Sequence, residues 1–317
     1  LKYLFTAFKV FQNLIDVKPT MTGCYQWIKL FNGDCKDYNT VKDNLEDYDV
    51  IQVNLDPMDI QMLSDIKERL KGSSTILIGN HDHSPELWTK SMEHPFAFKH
   101  SVNSCDGIFA TTPTAKNLME HILDRKIHLI PHPCETHLLK RFGTDNKFKH
   151  ISIIYHRYDN NVLMPWIHLH KSNKSLSLVG YMEKEDPRFR ATKCLYDNII
   201  PYMPFPDFIK LLKESYWIYD SYDGYSYGRI GCDAACLQVP LVGCDKVYSH
   251  QVLYPYTSVD QYDVKTITSL FKKLSEDGEF YQKVIDYAYD KVEYFNWKNS
   301  KERYKKLLDD VRTTKNL

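Results

Sequence analysis

The strongest constraint on this chain is a rhythm. Short runs of buried-strand character alternate with segments of helical period, and Pro, Gly or Thr marks nearly every junction. Residues 48–55 (YDVIQVNL) read as a buried strand. Asp56-Pro57 then opens a helix with Pro in its first turn. Ile60, Leu63, Ile66 and Leu70 follow at helical spacing, and Gly72 ends the segment. Residues 75–79 (TILIG) form the next strand, followed by Asn80-His81-Asp82-His83-Ser84-Pro85. The pattern then repeats. Residues 107–111 are a strand, and Thr112-Pro113 caps a helix with Ala115, Leu118, Met119 and Ile122 on one face. Residues 127–130 are a strand that runs into Pro131-His132-Pro133. Alternation of this kind predicts a parallel α/β sheet.

A polar stretch at 141–150 reads as a linker, and a second series begins after it. Strands are expected at 151–155, 175–179, 217–220 and 240–243, with helices at 207–217 and 229–237 and tail helices over 265–311. Two such series predict two Rossmann-like domains facing across a cleft, where ligands of such proteins usually bind. The 317 residues suit two domains, and 43% apolar content suffices for their cores. Basic and acidic residues balance at 41 each, so no global positive field points to nucleic acid, although local basic clusters leave a DNA partner open. No apolar run approaches the roughly 20 residues that span a bilayer, and no signal peptide is read at the first residues, so the expected location is cytoplasmic. The eight cysteines show no CxxC pair and read as reduced, small apolar side chains.

The chemistry concentrates at 219–243, YDSYDGYSYGRIGCDAACLQVPLVG, which runs strand, glycine-containing loop, helix, Pro, strand. Ligands of open α/β sheets sit outside the carboxyl ends of strands, where this loop lies. Gly228 lets backbone approach a ligand closely. The helix that begins near Arg229 presents unpaired amides and a positive dipole end, suited to a diphosphate, and Arg229 adds a charge-assisted bond. Asp233 falls four residues on, on the same helical face as Arg229, and a carboxylate there can accept from a ribose diol or simply pair with the arginine.

These segments resemble the GT-B fold glycosyltransferases, family 4 (group 1). Asp233-Ala234-Ala235-Cys236-Leu237-Gln238-Val239-Pro240-Leu241-Val242 matches that family's Glu-Ala-Met-Ala-Cys-Gly-x-Pro-Val-Val, with Asp for Glu and no Gly at Gln238. Tyr227-Gly228-Arg229 matches its preceding loop. Asp106 to Thr111 with Ile130-Pro131-His132-Pro133 resembles the end of the first domain. Phe295-Asn296-Trp297 with Arg303-Tyr304 resembles the terminal helix that crosses back to it. The resemblance implies an acceptor-binding domain over 1–145, a nucleotide-sugar-binding domain over 146–297, and a returning helix over 298–317. It implies Asp233 on the nucleotide ribose, and Tyr227 and Gly228 amides near the diphosphate or sugar. Asp223, Tyr225 and Ser226 would line the donor loop, and Arg157 and Arg229 would neutralise the diphosphate. Thr22-Gly23 would be the first domain's glycine loop, and His81 and Asp82 would face sugar and acceptor. It implies metal-independent transfer with retention of configuration from a nucleotide sugar, UDP-sugar favoured, with no other cofactor. The expected acceptor is a glycan or, because His81-Asp82-His83-Ser84 also resembles a segment of phage DNA α-glucosyltransferases, a hydroxymethylated base in viral DNA. Two positions depart from the pattern. The family's first acidic residue falls on Tyr225, with Asp223 nearby, and its diphosphate Lys falls on Val162, with Lys171 or Lys174 as substitutes.

Two other readings compete. A degenerate GT-B protein would bind its ligand without turnover, which the missing acid at Tyr225 motivates. Gly79-Asn80-His81-Asp82 and Gly33-Asp34-Cys35-Lys36-Asp37 also spell parts of a calcineurin-like metallophosphoesterase. The Asp-x-His that such an enzyme needs after its first strand is replaced by Thr6-Ala7-Phe8. Asp47-Tyr48-Asp49 spells a metal-binding DxD but precedes its strand, at the amino end, and reads as a solvated approach to that strand.

Overall fold

The computed structural model describes residues 1–7, 23–55, 59–81, 95–143, 150–154, 163–171, 174–181, 194–201 and 203–315. Thr22, Asp82, Arg157 and Val162 lie outside the described residues, as do Asp56 and Pro57. The chain forms two compact units. One comprises Leu1–Cys134, Tyr225–Tyr227 and Phe295–Leu317, and the other Glu135–Gly224 and Gly228–Tyr294.

The first unit holds a parallel sheet of strands β1 (Tyr3–Ala7), β2 (Asp34–Asp37), β3 (Val50–Asn54), β4 (Ile76–His81), β5 (Gly107–Ala110) and β6 (His128–Leu129). Their spatial order is β2-β1-β3-β4-β5-β6, so the chain reverses its direction of growth between β1 and β3. Alternation along each strand builds two cores. Leu4, Ile51, Val53, Leu77 and Ile108 face one side, against Leu63, Ile66, Val102 and Met119. Tyr3, Phe5, Val50, Ile78 and Phe109 face the other, against Trp27 and the terminal helix residues Tyr304, Leu307 and Val311. The helix Trp297–Lys315 thus covers the second face of the first sheet. Gly107 allows this seating, because a Cβ there would stand 2.7 Å from Val311 Cγ2 and 2.9 Å from Leu307 Cδ1. Thr112 caps the helix Pro113–Leu123 as expected, its hydroxyl accepting from the Ala115 amide at 3.2 Å.

The second unit holds β7 (His150–Ile154), β8 (Ser175–Tyr181), β9 (Asn198–Pro201), β10 (Trp217–Asp220), β11 (Leu241–Cys244) and β12 (Ser258–Val259). The order is β12-β11-β10-β7-β8-β9, again all parallel. Read from its other edge, this is the Rossmann order, with the switch point between β7 and β10. Along β10, Trp217 and Tyr219 face the helix Val264–Glu276 through Phe271. Asp220, of opposite parity, meets His250 in the helix Tyr248–Leu253. Strand β10 begins and ends where the sequence places it. The helix before it runs Phe205–Glu214, three residues short of expectation, because Trp217 is drawn into the sheet. No described helix is long and apolar enough to cross a membrane.

Candidate functional site

The crevice of an open α/β sheet lies outside the carboxyl ends of the strands that flank its switch point. In the second unit those strands are β7 and β10, and one hydrogen bond ties their ends together. Ser221 Oγ donates to the Ile154 carbonyl at 3.0 Å. The loop after β10 therefore starts from a fixed position, beside the point where the chain continues from Ile154 toward Arg157. Asp220 anchors the same end from beneath. It is buried, one carboxylate oxygen lies 3.1 Å from His250 Nε2, and the other accepts from the Tyr222 amide at 3.3 Å.

The loop ends at Gly228, whose φ of 75° and ψ of 66° place it in the left-handed region, and the helix Arg229–Cys236 begins there without a side-chain cap. Its first amides have no intrahelical acceptors. Among the described residues, neither the Gly228 nor the Ile230 amide donates to any group. The glycine has a second reason to be there. A Cβ at 228 would lie 2.1 Å from Val247 Cγ1, and one at 231 would lie 2.4 Å from Ser249 Oγ. Ser249 also donates from its hydroxyl to the Gly228 carbonyl. The two glycines therefore let the helix pack closely on Val247 and the start of the helix Tyr248–Leu253. The sequence reading assigned Gly228 to approach of a ligand, yet its Cβ direction is filled by protein.

Arg229 and Asp233 pair as their spacing predicts, Nε to Oδ1 at 2.8 Å. The pair is not on a solvated face. The Asp233 side chain is 3% exposed and that of Arg229 15%, and every residue from Ile230 to Cys236 is buried. A carboxylate that deep needs a charged partner, and Arg229 supplies it. Small side chains at Gly231, Cys232, Ala234, Ala235 and Cys236 let neighbours close in on all sides of the helix. At its carboxyl end Gln238 adopts φ 54°, the left-handed geometry expected of glycine. Val239 N donates to Ala234 O at 3.0 Å and Gln238 N to Ala235 O at 3.1 Å, a Schellman motif built on a non-glycine residue.

The other residues expected to line a donor loop separate. Asp223 is half-buried and its carboxylate accepts from Tyr262 Oη at 3.1 Å. Tyr225 and Ser226 are half-buried and, with Tyr227, fold as part of the first unit. There Tyr227 Oη donates to the His132 carbonyl at 2.9 Å, and its ring meets His132 and Phe295 edge-on. His132 Nδ1 accepts from Trp27 Nε1 at 3.1 Å, which places the proton of the neutral ring on Nε2. The Pro131-His132-Pro133 segment is thus a hub that holds Trp27, Tyr227 and, through the Cys134 amide bonded to the Phe295 carbonyl at 2.7 Å, the start of the terminal segment.

In the first sheet, His81 closes β4. It does not stand in a loop beyond Gly79, because pairing with β5 continues through Asn80 and His81. His81 is buried and its carbonyl accepts from the Thr111 amide at 3.1 Å. Asn80 Nδ2 donates to Asn54 Oδ1 at 2.9 Å, linking the carboxyl ends of β3 and β4. Gly23 begins the helix Gly23–Phe31.

The rival spellings resolve into structure. Asp34 accepts from Tyr48 Oη at 2.6 Å and pairs with Lys36 at 3.0 Å, which holds its carboxyl below the usual range. Its register places it level with Leu4, Ile51 and Leu77, three strand spacings from β4. That is about 14 Å sideways from β4 and roughly 10 Å short of Asn80 along it, whereas paired catalytic metals sit about 4 Å apart. No group of three His, Cys, Asp or Glu among the described residues is placed to hold a metal ion. Asp49 accepts from the Lys2 amide at 2.6 Å at the amino end of β3. Lys171 and Lys174 precede β8 and so lie at the amino edge of the second sheet. Four residues of strand, about 13 Å, separate them from the loop after β10, and the Lys174 ammonium sits 4.7 Å over the Tyr216 ring. Neither replaces the missing diphosphate lysine. Burial raises the Cys105 thiol to about 12. Sequence reasoning missed Val247, Ser249 and His250. The one trace of them was the paired small residues Gly228 and Gly231.

No protein-family model matches the sequence, and no curated protein does. Solved structures do. The chain is 12% identical to an α-glucosyltransferase solved with UDP and a 13-mer DNA containing an HMU base, with TM-score 0.68 and 98% of both chains covered. It is 11% identical to HepE of Anabaena solved with UDP-glucose, with TM-score 0.69 over 97% of this chain and 99% of that one. It is 11% identical to sucrose-phosphate synthase of Thermosynechococcus elongatus, with TM-score 0.68 over 97% and 81%. The fold is therefore the two-domain α/β fold of the GT-B glycosyltransferases.

Proposed function

We propose that the protein is a glycosyltransferase that moves a hexose or pentose from a nucleoside diphosphate sugar, UDP-sugar favoured, to an acceptor hydroxyl. The observation that carries this reading is the uncapped amino end of the helix Arg229–Cys236, reached by a loop pinned to the switch point through Ser221 and Ile154. Amides of that first turn and the dipole behind them suit a departing diphosphate. Arg157, a few residues beyond Ile154, would add its charge from the other flank. Asp233 would meet the ribose while Arg229 holds its position. Donors fixed before the reaction stabilise the leaving charge with little reorganisation, and they need no metal for it. UDP and UDP-glucose in the structural neighbours support the choice of donor.

Retention of configuration and a cytoplasmic setting belong to the same proposal. So does the acceptor, a glycan or a hydroxymethylated base in DNA, the second of which the DNA-bound neighbour supports. His81 and Asp82 would face it. One observation favours binding without turnover as a second reading. Tyr225 stands where the family places an acid, and the carboxylate of nearby Asp223 is engaged by Tyr262.

The test is nucleotide release from UDP-, GDP- and CDP-sugars, with and without acceptor. Turnover that falls at least tenfold in both Arg157→Ala and Arg229→Ala is expected. Unchanged rates in both variants remove the mechanism. Saturable donor binding with no release under any condition establishes the second reading.

A further inference from the structure

The helix Tyr248–Leu253 supplies no group to the chemistry proposed above, yet its first turn holds both ends of the loop after β10. Ser249 and His250 are fully buried. Neighbours on a helix point about 100° apart, so the two side chains reach different places. Ser249 Oγ donates to the carbonyl of Gly228, where the loop ends. The His250 ring stands where the loop begins. Its Nε2 pairs with Asp220 Oδ2 at 3.1 Å, and its Nδ1 lies 3.3 Å from the Cys244 carbonyl at the end of β11.

The surroundings are cut to fit that ring. A Cβ at Gly243 would stand 2.5 Å from His250 Nδ1, and one at Gly231 would stand 3.2 Å from its Cδ2. The imidazole therefore fills the wedge between β11 and the first turn of the helix Arg229–Cys236, with Asp220 at its edge. An ionised carboxylate only accepts, so the proton between the two belongs to Nε2. The Asp220 side chain is 1% exposed, and its Oδ1 accepts from the Tyr222 amide at 3.3 Å. A buried carboxylate that loses a donor turns toward another or draws in water. Here such a turn would carry the Tyr222 amide with it. Two further contacts hold the same loop. Gln261 Nε2 donates to the Asp220 carbonyl at 3.4 Å, and Cys244 Sγ donates to the Asp223 carbonyl at 3.8 Å.

We propose that Ser249 and His250 are positioning residues for the donor site. They fix where the loop leaves β10 and where it enters the helix Arg229–Cys236, so that the helix-start amides stand in place before a diphosphate arrives. Both side chains are buried and act through the backbone they hold. For its ligand, the inference rests on the glycosyltransferase reading.

Two replacements separate the contacts of the ring. Counted in bonds from Cβ, glutamine carries an amide nitrogen where Nε2 stands, and asparagine carries one where Nδ1 stands. His250→Gln thus keeps the Asp220 pair, whereas His250→Asn keeps only the Cys244 contact. Calorimetric titration of the full chain with UDP reads both the Kd and the number of binding-competent chains. His250→Asn should weaken UDP by about tenfold with the number of sites unchanged, and His250→Gln should recover most of that loss. Ser249→Ala removes a single oxygen and should weaken UDP by about threefold, which keeps the test valid if the asparagine variant fails to fold. A histidine that serves folding alone would lower the number of sites and leave the Kd as it was. A native Kd in both His250→Asn and Ser249→Ala, or equal losses in the two His250 variants, overturns this inference alone. A native chain that binds no UDP overturns the donor reading and this inference with it.

Discussion

Replacing Gly228 with alanine separates two costs that the sequence alone conflates. The residue holds φ 75°, where an L side chain costs about 1–2 kcal/mol. The new methyl would also fall 2.1 Å from Val247 Cγ1 and 2.8 Å from Ser249 Oγ. Val247 is fully buried and cannot swing into solvent, so overpacking adds about 1–3 kcal/mol, for a total of about 2–5 kcal/mol. Gly143 provides the control. It belongs to the same unit, has φ 59° and ψ −178°, and a Cβ there meets nothing within 4 Å. Gly143→Ala should therefore cost only backbone strain, about 1–3 kcal/mol. Because these ranges overlap, the deciding quantity is a double-mutant coupling. Val247→Ala should recover about 1–3 kcal/mol on the Gly228→Ala background relative to its effect alone. Native-state hydrogen exchange of the β7 and β10 amides reads the opening free energy of this unit by itself. If the helix start holds the diphosphate, UDP affinity falls at least tenfold in Gly228→Ala and partly returns in the double variant. A coupling near zero would refute the argument that the glycine serves packing on Val247.

Three further outcomes follow from single contacts. Gln238→Gly should stabilise the second unit by about 0.5–1 kcal/mol in the same exchange assay, because relief of left-handed strain outweighs the entropy of the added glycine. Tyr227→Phe removes a buried hydroxyl bonded to the His132 carbonyl at 2.9 Å and should cost the first unit about 1 kcal/mol, read from its exchange-protected amides. His168, lowered by burial from 6.5 to about 4, predicts a pH dependence with a definite sign. The unfolded chain binds a proton there that the folded chain does not. Stability is thus complete above about pH 6.5 and falls toward pH 4, by roughly 3 kcal/mol at most. His168→Phe should flatten urea midpoints measured between pH 4 and 6.5, and an unchanged slope would exclude His168 as the source.

The fold was legible wherever two signals coincided. Residues 107–123 combine a β run, a Thr-Pro cap and a helical apolar face, and the structure follows them to within a residue or so. Elements without such agreement were lost. Strand β2 reads Asp-Cys-Lys-Asp, with no apolar alternation, because it is an edge strand of half-exposed side chains held by pairing to β1. The helix Tyr248–Leu253 has six residues, too few to establish a period, and its buried Ser249 and His250 look like loop residues in a sequence. His81 was placed just past its strand, which the sequence reading closed at Gly79. In the sheet, that glycine sits against Cys105 and Leu55, and the strand passes through it.

The candidate site shows what kind of information a sequence withholds. Gly228 and Gly231 announce a close approach, but a missing side chain does not say what fills its space. Here it is Val247 and Ser249, some twenty residues later in the chain. Arg229 and Asp233 announce a pair, and helical geometry fixes their adjacency, yet the same spacing serves a solvated pair worth little and a buried one that is costly to break. Burial decides between them, and burial is set by what packs on the helix from outside. If the proposed chemistry holds, the two findings have one cause. Small residues along the helix let its neighbours enclose the Asp233 carboxylate, and that enclosure is what makes Arg229 a fixed, low-dielectric charge beside the helix start.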